Sequence, residues 1–301
     1  MKVTILICTY NRGNLIHETL KSIIKDQTRK PDQIVIVDGG GENSCRVTLN
    51  YWKAEFDSII VIETINKNLS ASRNVGLPYC DGEIIMQTDD DARPFPDWIE
   101  RMVEFHKKFP DVGVIGGNVI DGNPRSFLSK VADATTFPNF ESNQYVRSVP
   151  GVNSSYKKEV ILKVGKYDES LFRGEDVDYN WRAQLNGWKI LHVPTIKVNH
   201  IHRSTWKGLF NQHFMYGRAH FLVRSKWPDM YSHYPTKVYS LTSFIKWILS
   251  WNLIPILDAM RKASRVNRPV TGFEILILLL INLSNRIGSS IEKNKKLLDL
   301  I

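Results

Sequence analysis

Short, almost continuously apolar runs alternate with polar segments of helical spacing through the first 120 residues. The runs are "VTILIC" (3–8), "QIVIVD" (33–38), "SIIVIE" (58–63) and "EIIMQ" (83–87), all rich in β-branched side chains. Runs this short, bounded by polar turns, predict strands buried on both faces. Between them, "NLIHETLKSIIKDQ" (14–27), a segment around 44–55 and "SASRNVGL" (70–77) read as helices. A further helix is expected over 96–109, then a strand, "VGVIGGNVI" (112–120). Strands alternating with helices argue for βαβ units and a mostly parallel sheet.

Beyond residue 120 the pattern changes. Residues 121–150 are loop-rich and are expected to form a lid or substrate loop. Residues 149–194 then read strand, helix, loop, helix, strand. In "EDVDYNWRAQLNGW", Val177, Trp181, Leu185 and Trp188 fall on one helical face, predicted to face the core, and Gly187 closes the helix. Two apolar segments follow, 239–257, interrupted by Lys246 and Pro255, and 272–283, about half the ~20 residues a membrane-crossing helix needs. They read either as core helices or as an interfacial anchor, with Trp247 and Trp251 at the headgroup boundary.

Composition sharpens this picture. At 43% hydrophobic and 24% charged, the chain is globular rather than disordered. The net charge of +9 is concentrated: residues 189–301 hold 17 Lys and Arg against 5 acids, a net of +12. An anionic partner is expected there, and membrane lipid is favoured, because no nucleic-acid-binding motif is present. Cys8, Cys45 and Cys80 are odd in number and form no CxxC pair, so neither a zinc-thiolate site nor a disulfide framework is indicated, and reduced thiols in a cytosolic protein are expected. The N-terminal apolar run is too short for a secretory signal and reads as the first strand.

The candidate chemistry lies at the ends of predicted strands, where loops of an open α/β sheet converge on ligands. "CTYNR" (8–12), "DGGGENS" (38–44) and "DDDARP" (89–94) all fall there. Three adjacent carboxylates repel one another unless a cation holds them. Asp89 and Asp91 form a D-x-D pair suited to Mg²⁺ or Mn²⁺, which bind hard carboxylate oxygens together with substrate phosphates. His200 and His202, two apart in "VNHIHR", are alternative third ligands. "RGEDVD" (173–178) offers Asp176 as a general base with Glu175 beside it, at a helix start. Arg73 in "NLSASRN" is a candidate charge balancer for acids and phosphates.

The ordered series CTYNR, VDGG, NLSASRN, TDDDA, GVNSSYKKEVILKVGKYDE, GEDVD, VNHIHR and QHFMYGRAH resembles the inverting glycosyltransferases of family 2 over roughly residues 1–225. The resemblance implies a GT-A fold, Rossmann-like, as a catalytic domain over 1–225, with a helical, basic region over 226–301. It implies that Thr9, Tyr10 and Arg12 line the nucleotide pocket, Tyr10 stacking on the base and Asp38 accepting its imide N–H. Arg73 would sit near the nucleotide, Asp89 near ribose and metal, and Asp91 and His200 on the metal. Asp176 matches the catalytic base, and Asn153 would lie where donor and acceptor sugars meet. Asp90, in the variable middle of the D-x-D, is grouped with the donor site but is otherwise expected to be solvated or paired with Arg93.

The expected activity is metal-dependent, inverting transfer from a nucleotide-diphosphate sugar, most often a UDP-sugar, to a hydroxyl of a saccharide or lipid-linked acceptor. The expected location is cytoplasmic, peripheral on the inner face of the cell membrane. The rival readings are a sugar-nucleotide nucleotidylyltransferase, for which the glycine-rich phosphate loop after the first strand is lacking, and a non-catalytic nucleotide- or carbohydrate-binding protein on the same fold.

Overall fold

The structure is a computed structural model describing residues 1–231 except 14, 42–44 and 124, together with 240–242, 245, 253–266 and 272–298. Two compact units emerge: Met1–Gly122 with Phe137–Ile201, and Asn123–Thr136 with His202–Ile301. The division falls at Ile201/His202 rather than near 225, and a segment of the expected lid region belongs to the second unit.

The first unit is built on a nine-stranded sheet. Strands β1 (Val3–Thr9), β2 (Gln33–Asp38), β3 (Ile59–Glu63) and β4 (Ile84–Asp89) run parallel in the order β3-β2-β1-β4. Their unbroken apolar runs have a direct cause. Alternate side chains feed two cores: Val3, Ile5, Ile7, Ile34 and Ile36 on one face, Leu6, Val35 and Val37 on the other. Helices α1 (Ile16–Ile24), α2 (Arg46–Glu55) and α4 (Trp98–Lys108) cover the first face; α3 (Leu69–Gly76) lies on β1 and β2, with Leu77 just beyond it in the second core.

The sheet continues as β8 (Ser154–Lys157), β6 (Val112–Asp121), β9 (Lys189–His200) and β5 (Ala92–Pro94), with β7 (Gln144–Tyr145) also on β9. This half is mixed, β8 being antiparallel to both β4 and β6. The β6–β9 register breaks between Gly117 and Asn118, where three residues of β9 bulge out. Only glycine fits at 117, because a Cβ there would collide with the Ile196 carbonyl. The bulge re-aims the end of β9, which carries His200.

Helices α6 (Lys158–Val164) and α7 (Glu175–Leu185) supply Val160, Ile161, Tyr179 and Ala183 to the second core. The face expected for α7 is wrong. Leu185 is 60% exposed, whereas Glu175, Asp178, Tyr179, Asn180 and Ala183 are buried. Polar contacts set the rotation: Asn180 Nδ2 donates to Ser148 Oγ and to the Val149 carbonyl, and Tyr179 stacks on Tyr167 at 4.1 Å. Gly187 does adopt the left-handed φ of +86° after the helix.

In the second unit α5 (Phe127–Thr136), within the region expected to be only loop, packs with α8 (Trp206–Lys226), α9 (Leu253–Val266) and α10 (Gly272–Leu298) around Val131, Leu209, Ala259, Ile277, Leu278 and Ile281. Thr205 caps α8 by accepting from the Gly208 N–H. The apolar segment expected at 272–283 is the first part of a 27-residue helix. Much of the 239–257 segment, including Lys246, Trp247 and Trp251, lies outside the described residues.

Candidate active site

Register brings the strand-end residues together. Cys8 pairs with Asp89 and Thr9 with Asp38, so β1, β2 and β4 finish side by side. The chain turns through Asp90 and Asp91 into β5, which runs antiparallel to β9 with Ala92 opposite His200. The Ile201 N–H donates to the Asp91 carbonyl at 3.2 Å, which sets the two segments in place. As a result His200 Nε2 lies 3.3 Å from Asp91 Oδ1. One ligand atom each of Asp89, Asp91 and His200 falls within 4.8 Å of the others. This is the D-x-D pair with the first of the two histidine alternatives. Phe137 meets the His200 ring edge-to-face at 5.4 Å.

His202 does not join this cluster. β9 ends at His200, so the strand alternation that would aim both imidazoles one way stops there. The His202 side chain is instead buried in the second unit, its Nε2 3.5 Å from Asp133 Oδ1 on α5.

The three carboxylates are treated differently from one another. Asp90 is neither solvated nor paired with Arg93, which is exposed; it is 4% exposed. Its Oδ2 accepts from Thr9 Oγ1 at 2.7 Å, its Oδ1 from Arg12 Nη1 at 2.9 Å, and its backbone carbonyl from Thr19 Oγ1. Burial pushes the Asp90 carboxyl up to about 6, against the pull of Arg12 and Thr9. Arg12 Nη1 also donates to Asp91 Oδ2 at 2.6 Å. Arg12 is thus the cation of the triplet, an arrangement that sequence spacing did not reveal. Burial, with Asp91 adding repulsion, raises the Asp89 carboxyl as well, against Arg73, His200 and Arg12. Asp89, Asp91 and His200 are the residues that could hold a divalent cation, and two carboxylates with one imidazole fit Mn²⁺ or Mg²⁺.

At the neighbouring strand end, Asp38 is buried and its Oδ1 accepts from the Gly40 N–H at 2.9 Å, shaping the "GGG" turn. Tyr10 sits against Gly39 and is 49% exposed. Of the residues expected to line a nucleotide pocket, Tyr10 is the most exposed, Arg12 is about one-third exposed and Thr9 and Asp38 are buried. The hydroxyl of Thr9 is turned inward onto Asp90.

Arg73 is 4% exposed and donates from Nη1 to Glu175 Oε1 at 2.6 Å. Its guanidinium lies 5.3 Å from the Tyr167 ring centroid. Burial alone would lower the Arg73 pKa, but Glu175, Tyr167 and Asp89 more than reverse it. The Glu175 carboxyl is raised, first by burial and then by Asp176, with Arg73 opposing. Asp176, next in the chain, accepts from the Gly151 N–H at 3.0 Å through Oδ2 and from the Val177 N–H through Oδ1. A Cβ on Gly151 would come 2.5 Å from Arg73 Nη2. Gly151 and Tyr167 are therefore parts of this corner; the stretch GVNSSYKKEVILKVGKYDE that holds both belongs to the family resemblance, but neither residue was singled out in it.

Asn153, expected where donor and acceptor sugars meet, turns its side chain inward. It is fully buried in a 3₁₀ turn, with Oδ1 accepting from Trp98 Nε1 and Nδ2 donating to the Asn118 and Ile196 carbonyls. Every polar group on its amide is used to join β6, β9 and α4.

A solved mannosyltransferase, PcManGT from Pyrobaculum calidifontis in complex with GDP-Man and Mn²⁺, superposes with a TM-score of 0.66 at 15% identity, covering 97% of this chain and 86% of its own. GalNAc-T7 with UDP, GalNAc and Mn²⁺ gives 0.57 at 16%, covering 90% of this chain and 58% of its own. These likenesses place the chain in the GT-A fold. The glucosyl-dolichyl phosphate glucuronosyltransferase of Haloferax volcanii is 29% identical over 240 residues, 69% of this chain and 75% of that protein. The poly-beta-1,6-N-acetyl-D-glucosamine synthase of Staphylococcus aureus is 25% identical over 246 residues, and the match spans 79% of this chain but only 59% of the synthase. Residues 4–165, more than half the chain, match the Glycosyl transferase family 2 profile, and the chain is a glycosyltransferase belonging to that family.

Proposed function

We propose that this glycosyltransferase moves a sugar from a nucleotide-diphosphate donor, most often a UDP-sugar, to a hydroxyl of a saccharide or lipid-linked acceptor, with inversion. The observation that carries the reading is the meeting of Asp89, Asp91 and His200 within 4.8 Å at the strand ends of the unit that also holds Asp176 at the start of α7. Mn²⁺ or Mg²⁺ held by these three would stabilise charge on the leaving diphosphate. The mannosyltransferase and GalNAc-T7 structures hold a nucleotide with Mn²⁺, which supports the donor class. The Haloferax volcanii relative, named for a dolichyl phosphate substrate, supports a lipid-linked acceptor, and the net +12 of residues 189–301 supports peripheral contact with the inner face of an anionic membrane.

In this reading Tyr10 and Asp38 receive the base, and Arg12 keeps Asp90 ionised and Asp91 turned toward the metal. Asp176 takes the acceptor proton as the acceptor oxygen bonds to the anomeric carbon. The bond from that carbon to the diphosphate breaks in the same displacement, its electron pair leaving with the diphosphate. A carboxylate is a weak base for a sugar hydroxyl, so the proton moves in concert with C–O formation rather than before it. The Gly151 and Val177 N–H groups hold both Asp176 oxygens, which fixes the carboxylate plane. Asp176→Asn keeps the shape and removes the base. It should lower turnover by a factor of about 10² or more with donor affinity unchanged; turnover within a few-fold of wild type would remove Asp176 from the role.

A further inference from the structure

Among the described residues of the second unit, a long apolar stripe of α10 stays open to solvent, although Phe273 also stacks on Phe127. Phe273, Leu276, Leu280, Leu283, Ile287 and Ile291 are each between 39% and 58% exposed. Their spacing of three or four residues puts them within roughly 80° of arc at about 100° per residue. The opposite side of the helix is committed: Ile277, Leu278 and Ile281 enter the core shared with α5, α8 and α9. Soluble monomers rarely expose a contiguous apolar strip of this length.

The charges beside the stripe match an anionic surface. Lys293 and Lys295 are exposed and flank the stripe on its two sides, while the acids of α10 are withdrawn. Glu274 is buried, and Glu292 is held by Arg218 Nε at 2.6 Å. The unit sits in the third of the chain that carries the net +12. By length and composition Gly272–Lys295 could cross a bilayer, but its packing argues against that. Gly217 on α8 and Gly288 on α10 mark where the two backbones touch, a Cβ on either colliding with a carbonyl of the other helix. Crossing would drag α8, with Lys207, Arg218, Arg224 and Lys226, into hydrocarbon.

We infer that α10 lies in the plane of an anionic lipid bilayer, its 273–291 stripe sunk to the headgroup–acyl boundary and its flanking lysines on lipid phosphates. This deepens the membrane contact proposed above and is separable from sugar transfer, because vesicle binding needs neither donor nor metal.

The test is flotation of the full chain with phosphatidylglycerol–phosphatidylcholine vesicles and with phosphatidylcholine alone. Wild type should float with the anionic vesicles, less so as salt rises, and be released by alkaline carbonate. Leu280→Glu with Leu283→Glu should weaken binding at least about tenfold with circular dichroism and thermal midpoint unchanged. Should that pair unfold the protein, Leu280→Gln with Leu283→Gln carries the same test. Wild type that floats with no vesicle overturns the membrane contact itself. Wild type that floats, with a double variant floating equally well, overturns only the assignment to α10. Resistance to carbonate overturns the in-plane placement. A lipid-free dimer that the double variant converts to monomer gives the stripe to a second copy of the chain.

Discussion

Replacing Arg73 by Met should destabilise the first unit severely, through Glu175 rather than through lost packing. The Arg73 and Glu175 side chains are 4% and 7% exposed, and their charged atoms are 2.6 Å apart. At an effective dielectric of about 20 the attraction is roughly 6 kcal/mol, and burial of both charges opposes most of it. Removing one partner therefore leaves a carboxyl that burial already pushes upward without its main compensating charge. Uncompensated burial of this kind costs about 3–5 kcal/mol. Loss of the contact with the Tyr167 ring adds about 1 kcal/mol. The thermal midpoint should fall by about 8–24 °C at 2–4 °C per kcal/mol. Glu175→Leu added to Arg73→Met removes the stranded carboxyl, so the double variant should recover at least about 2 kcal/mol of the single-variant loss. Urea unfolding of the two single variants and the double completes the cycle. Single variants costing under about 1 kcal/mol, or a double equal to their sum, would refute the argument. Gly151→Ala strikes the same corner, since its methyl would press on Arg73 Nη2.

Two further outcomes follow from burial. His106 is 1% exposed, and burial, with Lys157 adding repulsion, lowers its pKa to about 3, so it stays neutral in the fold but protonates near 6.5 when unfolded. The unfolded state then binds the extra proton, and stability must fall as pH drops from 6.5 toward 3, by about 3 kcal/mol between 6.5 and 4 from His106 alone. His106→Gln should flatten that slope in urea unfolding; an unchanged slope contradicts it. Burial also pushes the Cys8 and Cys80 thiols up to about 12, so iodoacetamide at pH 8 should leave both untouched until the chain is unfolded. Rapid alkylation of either in the native protein would show that the strand ends open.

The features readable along the chain were those set by local period and by order. The four apolar runs became β1 to β4 because a strand covered on both faces needs no polar alternation, and their turns carry the D-x-D and "GGG" stretches to one edge. What escaped notice was set by partners far away in sequence. Asp90 looked solvated because nothing adjacent to it announces Arg12, 78 residues earlier, as its counter-ion. Asn153 looked like a ligand residue because its motif position says nothing of Trp98, whose indole it accepts. The apolar face read for α7 lost to the hydrogen bonds of Asn180 and the Arg73–Glu175 pair, which turn the helix by contacts no helical wheel contains. His202 stands apart from the Asp89–Asp91–His200 cluster because the strand ends at His200, so the alternation that would aim both imidazoles one way stops there.

The central claim is that Asp89, Asp91 and His200 hold a divalent cation on which a nucleoside diphosphate is bound. Thermal unfolding of wild type and of Asp91→Asn with UDP, dTDP, GDP, ADP or CMP, each in Mn²⁺ or in EDTA, tests it directly. A ligand at a hundredfold excess over its dissociation constant stabilises the fold by about 2.7 kcal/mol. The account predicts a rise in midpoint with one diphosphate in Mn²⁺, absent in EDTA and absent in Asp91→Asn. An equal rise in EDTA, or no rise with any nucleotide in Mn²⁺, would contradict it.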